Sequence, residues 1–409
     1  MRPVSRLQSS SFASFCIVWI ALLAGCVSPV KNDSRLSFSS IRSTQLEVLD
    51  LEHPPRSFEQ VIALPDEQFD VAEAVLALSA ELDPVGSTDR SLGTIRELNR
   101  LAERARADLP RNPDGADYFD TLYEVVLNRK AAEPFRDNRA EDYDLSYTVQ
   151  HHRGSCLSVG IMTLAVARRI GAPIWGAQCP AHFFLRHISE PDAKGKTSSL
   201  NFDVTKPSPE NWKKIDDAFY RNWRRFDDHA ESMGAYLRPL SDREVVSAFL
   251  SSRSGFHALK NNFELALKDA RRALELNNRN VNAYLNIGYA LESLGRLEEA
   301  ERAYQKVLQI DPRCVRALNN WAFLKIRDPN SKLFDVRRSE KLIESALDFE
   351  PDKAYLHATH AEIKAVRRDW RGATRCMQET MRRDPKNNAY RERFLFFREK
   401  LRNETIKDY

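Results

Sequence analysis

The chain has 409 residues, enough for two or three domains. With 62 Lys and Arg against 58 Asp and Glu, its net charge of +4 gives no global reason to expect nucleic acid. Only 14 glycines and a charged fraction of 29% argue against a β-rich protein and fit a mostly helical chain with wide solvated surfaces.

Arg2 and Arg6 precede an apolar stretch over 12–24 that is short for a membrane span and ends in small residues, so residues 1–25 read as a secretory signal. Leu23-Ala24-Gly25-Cys26 resembles the lipobox of bacterial lipoproteins. That resemblance implies that Cys26 is lipidated and becomes the new N-terminus; an ordinary cleaved signal beside a chance cysteine is the alternative. Val27 in place of aspartate implies, by the sorting rule of enteric bacteria, an outer-membrane location facing the periplasm. Residues 26–56 are polar, include Pro54-Pro55, and are expected to be a flexible tether. Beyond them lie Cys156, Cys179, Cys314 and Cys376. In an oxidising compartment four cysteines allow three full pairings, and a Cys156–Cys179 bridge would remove a candidate nucleophile.

Ten acids and one Arg occupy 44–83. The spacing of Phe69, Ala72, Val75, Leu76 and Leu82 predicts an amphipathic helix over 69–82, with Asp66 as its N-cap. Ile95, Leu98, Leu101 and Ala102 predict a second helix over 94–109, and a third is expected over 117–128. Leu157, Ile161, Leu164, Ala165 and Ile170 predict a strong helix over 156–170, closed by Gly171 and stopped by Pro173. The period then changes. Residues 174–179, 182–188 and 200–205 read as strands, with a hairpin loop over 192–199 around Gly195.

These elements bring three residues into a chemical pattern. Cys156 opens a helix, whose free N–H groups and partial positive charge favour a thiolate. His182 begins the second strand and can pair with that thiolate, then protonate a leaving group. Asp203 is expected on the third strand, where an adjacent antiparallel pair could hold the imidazole in the right tautomer. The backbone N–H of Cys156 is a candidate oxyanion donor, and Gln150 lies six residues earlier. His151, His152, Cys156, Cys179, His182 and His187 match neither a C-x-x-C nor an H-E-x-x-H spacing, so no metal or other cofactor is expected.

Arg153-Gly154-Ser155-Cys156-Leu157-Ser158, Ala167-Arg168-Arg169-Ile170-Gly171-Ala172-Pro173 and Pro180-Ala181-His182-Phe183 resemble the bacterial transglutaminase-like core superfamily, in a branch often followed by tetratricopeptide repeats. The resemblance implies an α+β fold for residues 57–245: a papain/transglutaminase-like domain with a helical lobe and a small antiparallel sheet. It also implies Cys156 as nucleophile, His182 as general base and acid, and Asp203 as the orienting carboxylate. The branch includes members that lack the cysteine, so the fold alone does not imply activity.

The second half repeats. Ala266 and Ala300 are 34 apart, Pro312 and Pro351 are 39 apart, and Pro351 and Pro385 are 34 apart. This period resembles the tetratricopeptide repeat, a helix–turn–helix unit, and implies an all-α solenoid over 246–387. Copies are expected at 247–280, 281–314, 315–353 and 354–387, the third lengthened near Asp328-Pro329-Asn330, with a capping helix within 388–409. By repeat position Asn282, Asn286, Tyr289, Arg316, Asn320 and Phe323 are expected to line a groove that takes a protein or peptide partner. Thirteen Lys or Arg against five acids over 364–402 read first as a solvated face, with anionic lipid or an acidic partner as the alternative. Two functions are compatible with these features. One is a lipid-anchored envelope thiol enzyme, hydrolytic or transamidating, acting on an amide or peptide bond. The other is a non-catalytic scaffold that binds partners through both parts.

Overall fold

The computed structural model describes residues 55–127, 140–180, 182–191, 196–205, 215–224, 231–232 and 236–407. The signal segment, Cys26, the tether up to residue 54, Ala181, Asn128 and the middle of the hairpin loop lie outside the described residues. Two units of the chain are distinguished: one takes Ala24–Phe256 with Arg272–Asn282, the other His257–Arg271 with Ala283–Tyr409.

The first unit begins with α1 (Phe58–Ile62), capped by Ser57 and Gln60 acting reciprocally. A 3-10 turn over Asp66–Gln68 follows, and α2 runs Val71–Leu82. The N-cap of α2 is Asp70, not Asp66: its carboxylate accepts from the Ala72 and Glu73 N–H groups. The other oxygen of Asp70 pairs with Arg169 at 2.8 Å, and Arg169 also donates to Asn99 at 2.8 Å. This buried node explains the cap choice, because only Asp70 satisfies a helix end and a buried guanidinium together.

Helix α3 (Ser87–Asp108) starts seven residues earlier than the apolar periodicity alone indicated, from Gly86 in the left-handed region. Its first two turns are mostly polar, so they carry little hydrophobic signal. Helix α4 (Gly115–Leu122) continues into a wide π turn over Tyr123–Leu127. A short helix that the sequence reading missed, α5 (Leu145–His151), precedes α6 (Cys156–Arg169).

Helix α6 is the spine of this unit. Nearly every residue from Leu157 to Ala167 is buried. It packs on the sheet β1 (Ile174–Cys179), β2 (His182–Ile188) and β3 (Ser199–Phe202), antiparallel in the order β1-β2-β3. Gly160 permits the close approach: a Cβ there would lie 2.4 Å from the Phe183 ring. The third strand is shorter than the apolar run suggested. Its last residue pair is Leu185 with Phe202, so Asp203 stands one residue beyond the strand. A helix the sequence reading did not place, α7 (Asp217–Arg224), follows.

Seven amphipathic helices and two preceding ones make the second half all-α: α8 (Asp242–Leu259), α9 (Phe263–Leu276), α10 (Val281–Ser293), α11 (Leu297–Ile310), α12 (Val315–Leu324), α13 (Val336–Phe349), α14 (Ala354–Val366), α15 (Trp370–Arg383) and α16 (Asn388–Lys407). Gly288 admits the Tyr304 ring, 2.4 Å from where a Cβ would stand, and the Tyr304 hydroxyl donates to buried Glu292 at 2.9 Å. The eleven residues between α12 and α13 hold Asp328-Pro329-Asn330, where the third copy is long. Tyr390 and Phe397 of α16 are buried over Ala361, Ala373 and Met377, so the last helix covers the apolar face its neighbours leave. Part of the first helix pair contributes to the first unit: Asn280 donates to the Ser247 carbonyl at 3.0 Å, and Arg253 donates to the Leu78 carbonyl at 2.8 Å.

Candidate active site

Ser155 builds the start of α6. Its hydroxyl accepts from the Ser158 N–H at 3.2 Å, which puts Cys156 at the first helical position, where backbone N–H groups are unpaired within the helix. Cys156 is partly accessible, and Cys156, Cys179, Cys314 and Cys376 are all free thiols.

His182 opens β2 opposite Cys179 in the β1–β2 register. Alternation along β2 puts His182, Phe184 and Arg186 on one face. Asn201 of β3 meets Arg186 on that face at 2.9 Å, and Asp203, two residues on, returns to it. Asp203 is therefore the diagonal neighbour of His182 and accepts from its Nε2 at 2.9 Å. Chain pairing has ended there, and Thr205 replaces it: its N–H and hydroxyl donate to the other Asp203 oxygen at 2.9 and 2.6 Å. His182 and Asp203 are buried, 7% and 0% exposed. With Nε2 committed to Asp203, Nδ1 is the ring nitrogen left for the sulfur, and the Cys156 thiol is close enough to the imidazole for each to shift the other's ionisation.

The electrostatics follow from this order. Burial opposes ionisation of the Cys156 thiol, but the hydrogen bond and positive charge of His182, with the Phe183 backbone N–H, outweigh it and hold the thiol below its ordinary value. Burial also opposes the charge on His182. The bonds to Asp203 and Cys156 override it and raise the imidazolium to about 9. Burial pushes Asp203 up, while His182 and Thr205 pull it further down, so the carboxyl stays ionised. A lowered thiol beside a raised imidazole, backed by a buried carboxylate, is the electrostatic pattern that favours a thiolate–imidazolium pair.

Aromatic rings enclose the imidazole. Trp223 stands edge-on to it at 5.1 Å, Tyr220 at 6.0 Å and Phe184 at 6.4 Å. Phe183, Thr205, Tyr220 and Trp223 were all missed by sequence reasoning. The Asp203-Val204-Thr205 spacing was the available signal for Thr205, since a hydroxyl two residues after an Asp can bond back to it.

The other histidines are engaged elsewhere. The Nδ1 of His151 lies 2.9 Å from the Tyr147 carbonyl, and the Nδ1 of His152 lies 2.7 Å from that of Val126. His187 stacks on Tyr118. Both His151 and His152 belong to the end of α5 and its cap rather than to an open loop, and Gln150 on the same helix is exposed. Of the residues expected to line the repeat groove, Asn282, Asn286 and Tyr289 are buried, at 9%, 7% and 7% exposure. Arg316, Asn320 and Phe323 are half-buried on α12, with Arg316 and Asn320 one turn apart and Phe323 the next turn along.

Residues 94–251 match the model of the transglutaminase-like superfamily, and residues 281–314 match that of the tetratricopeptide repeat. Among curated proteins, the chain is 29% identical over 85 residues to the small glutamine-rich tetratricopeptide repeat-containing protein 2 of Mycosarcoma maydis, covering 21% of this chain and 24% of that protein. It is 25% identical over 211 residues to a UPF0162 protein of Pseudomonas aeruginosa, covering 50% of this chain and 71% of that protein. The chain thus spans about a quarter of the length of the first of these relatives. Among solved structures, a thermophilic tetratricopeptide-repeat protein of Thermus thermophilus aligns with a TM-score of 0.34 at 16% identity, over 37% of this chain and 80% of that one. Menin aligns with a TM-score of 0.44 at 13% identity, over 84% and 92%.

Proposed function

Because the chain carries a transglutaminase-like domain followed by a tetratricopeptide-repeat region, we propose that it is a lipid-anchored envelope enzyme whose Cys156 performs acyl transfer from an amide or peptide bond. The observation that carries this reading is the buried His182 bonded to the Asp203 carboxylate, with the Cys156 thiol at the start of its helix as the imidazole's electrostatic partner. The thiolate attacks the carbonyl carbon, a C–S bond forms, and the backbone N–H of Cys156 faces the developing oxyanion. The imidazolium gives its proton to the departing nitrogen, the C–N bond breaks, and a thioester remains. Water or an amine then attacks the thioester, returns a proton to His182 and releases an acid or a new amide. The carboxylate of Asp203 keeps Nε2 protonated, so Nδ1 carries the proton traffic.

The repeats support a protein- or peptide-binding role, here recruitment of the substrate or of a partner. Arg316, Asn320 and Phe323 suit that role best, since each keeps part of its surface accessible. The lipid anchor rests on Leu23-Ala24-Gly25-Cys26, and labelled palmitate incorporation that survives Cys26→Ser would exclude it.

The deciding experiment is Cys156→Ser. Acyl transfer to water or to an added amine should vanish while the melting temperature stays unchanged. Full biological function in the Cys156→Ala strain would instead favour the scaffold reading, in which changes at Arg316, Asn320 and Phe323 break partner binding.

A further inference from the structure

Helix α7 and strand β2 face each other as a three-rung ladder. Along β2 the residues on the imidazole's face are Arg186, Phe184 and His182, two apart. Along α7 their partners are Asp217, Tyr220 and Trp223, three apart and so on one side of the helix. The outer rung is the Arg186–Asp217 ion pair. The middle rung is the Phe184–Tyr220 stack, with ring centroids 4.1 Å apart. The inner rung is Trp223 against His182, at 5.1 Å.

The outer rung is tied down more firmly than a surface ion pair. Arg186 is 5% exposed, donates to the Leu237 carbonyl and lies over the Phe184 ring. Its Nε donates to Asn201 Oδ1 at 2.9 Å, and the Asn201 amide donates to Asp217 at 2.9 Å. Arg186, Asn201 and Asp217 therefore close a ring of hydrogen bonds from β2 through β3 to the first residue of α7. The charged and titratable groups around Arg186 are Asp217, Tyr220 and Glu231, and Glu231 is taken by Arg221 at 2.8 Å. Around His182 they are Cys156, Asp203 and Tyr220.

The middle rung is held by packing alone. Tyr220 is fully buried, and its hydroxyl makes no hydrogen bond. Trp223 is 42% exposed, so one side of the ring meets water while the other meets the imidazole.

We propose that Arg186 and Asp217 are positioning residues for the acyl-transfer reaction: by fixing α7 along β2 they keep Trp223 over the imidazole and exclude water from the His182–Asp203 hydrogen bond. The inference rests on the Cys156–His182–Asp203 reading above. A hydrogen bond between charged groups is stronger where water is excluded. Loss of the outer rung would let α7 slip, wet the inner rung and weaken the ion pair that activates Cys156.

The test needs no substrate. Alkylation of Cys156 by iodoacetamide is followed against pH by peptide mass spectrometry on the full-length chain. Asp217→Ala and Trp223→Ala should each slow alkylation at pH 6 by about tenfold, the effect of one unit on a thiol pKa. Asp217→Asn, whose carboxamide oxygen still accepts from Arg186 and Asn201, and Trp223→Phe should restore most of the rate. The Asp217→Ala/Trp223→Ala double variant should be no slower than Trp223→Ala alone, because both changes act through one ring. An additive, roughly hundredfold loss in the double variant, or a wild-type rate in Asp217→Ala, would overturn the inference. A wild-type thiol of ordinary pKa that ignores His182→Ala would instead overturn the proposed function itself.

Discussion

Replacing Asp203 by Asn tests the site most sharply, because it keeps the shape and removes the charge. Asp203 is fully buried, and its two oxygens have separate duties: one accepts from His182 Nε2 at 2.9 Å, the other from Thr205. An Asn keeps its oxygen toward the two Thr205 donors and turns its NH2 toward Nε2. That geometry demands an unprotonated Nε2, so the ring proton moves to Nδ1 and faces the sulfur. The imidazole can then no longer accept the thiol proton. A charge-assisted hydrogen bond is worth about 1.5–3 kcal/mol, and each pKa unit is about 1.4 kcal/mol, so the imidazolium should fall by roughly 1–2 units. From about 9 it would drop to roughly 7–8. The thiol, held low chiefly by that imidazolium, should move up toward its ordinary value. The assays are the pH profile of Cys156 alkylation and the NMR titration of the His182 ring protons. Slower alkylation at pH 6.5 with a lowered His182 midpoint is expected. A profile identical to wild type would refute the argument, since Asp203 would then not govern the imidazole. The pH dependence of stability gives a second check. A carboxyl whose pKa is depressed on folding contributes stability that is present above its unfolded value and lost as pH falls through the folded one. The difference in melting temperature between wild type and Asp203→Asn should therefore shrink as pH drops below about 4.

Gly160→Ala should destabilise the first unit by about 1–3 kcal/mol, read from chemical denaturation, because the new methyl group meets the Phe183 ring inside a packed core. Ser155→Ala removes the cap beneath Cys156 and should cost about 1 kcal/mol. Wild-type stability in that variant would show that the cap is dispensable. Burial pushes the half-buried Cys376 thiol up, opposite to Cys156. Limited alkylation at pH 6 should therefore mark Cys156 and spare Cys376, and equal labelling would contradict the proposed ion pair. Arg169→Ala leaves Asp70 charged, buried and without its guanidinium partner, which should cost about 3–5 kcal/mol in the same denaturation assay.

Much of the architecture was legible because helix and strand periods differ. The run from Leu157 to Ile170 could only be a helix, and the shift at Ile174 announced the sheet; the strands at 174–179 and 182–188 stand where the alternation put them. Errors cluster where the local signal is weak. Helices α5 and α7 are seven and eight residues long, below the length at which periodicity separates from chance. The third strand ends early because pairing depends on the neighbouring chain and not on the apolar run itself. The repeat period identified the solenoid without any contact information, since each copy restates the same packing requirement.

The sequence alone determined which residues could do chemistry: a cysteine at a helix start, a histidine opening a strand, and an aspartate in reach of it. It also determined that the second half would be paired helices, because a 34-residue period leaves each pair an apolar face that only another pair can cover. Tertiary structure decided the rest. It alone placed Asp203 diagonally across from His182 and not directly opposite, set Thr205 behind the carboxylate, and laid Tyr220 and Trp223 against the imidazole. The physical reason is distance along the chain. A side chain's own residue type carries its reactivity, whereas its protonation state depends on the burial, charges and rings that neighbours remote in sequence bring within a few ångströms.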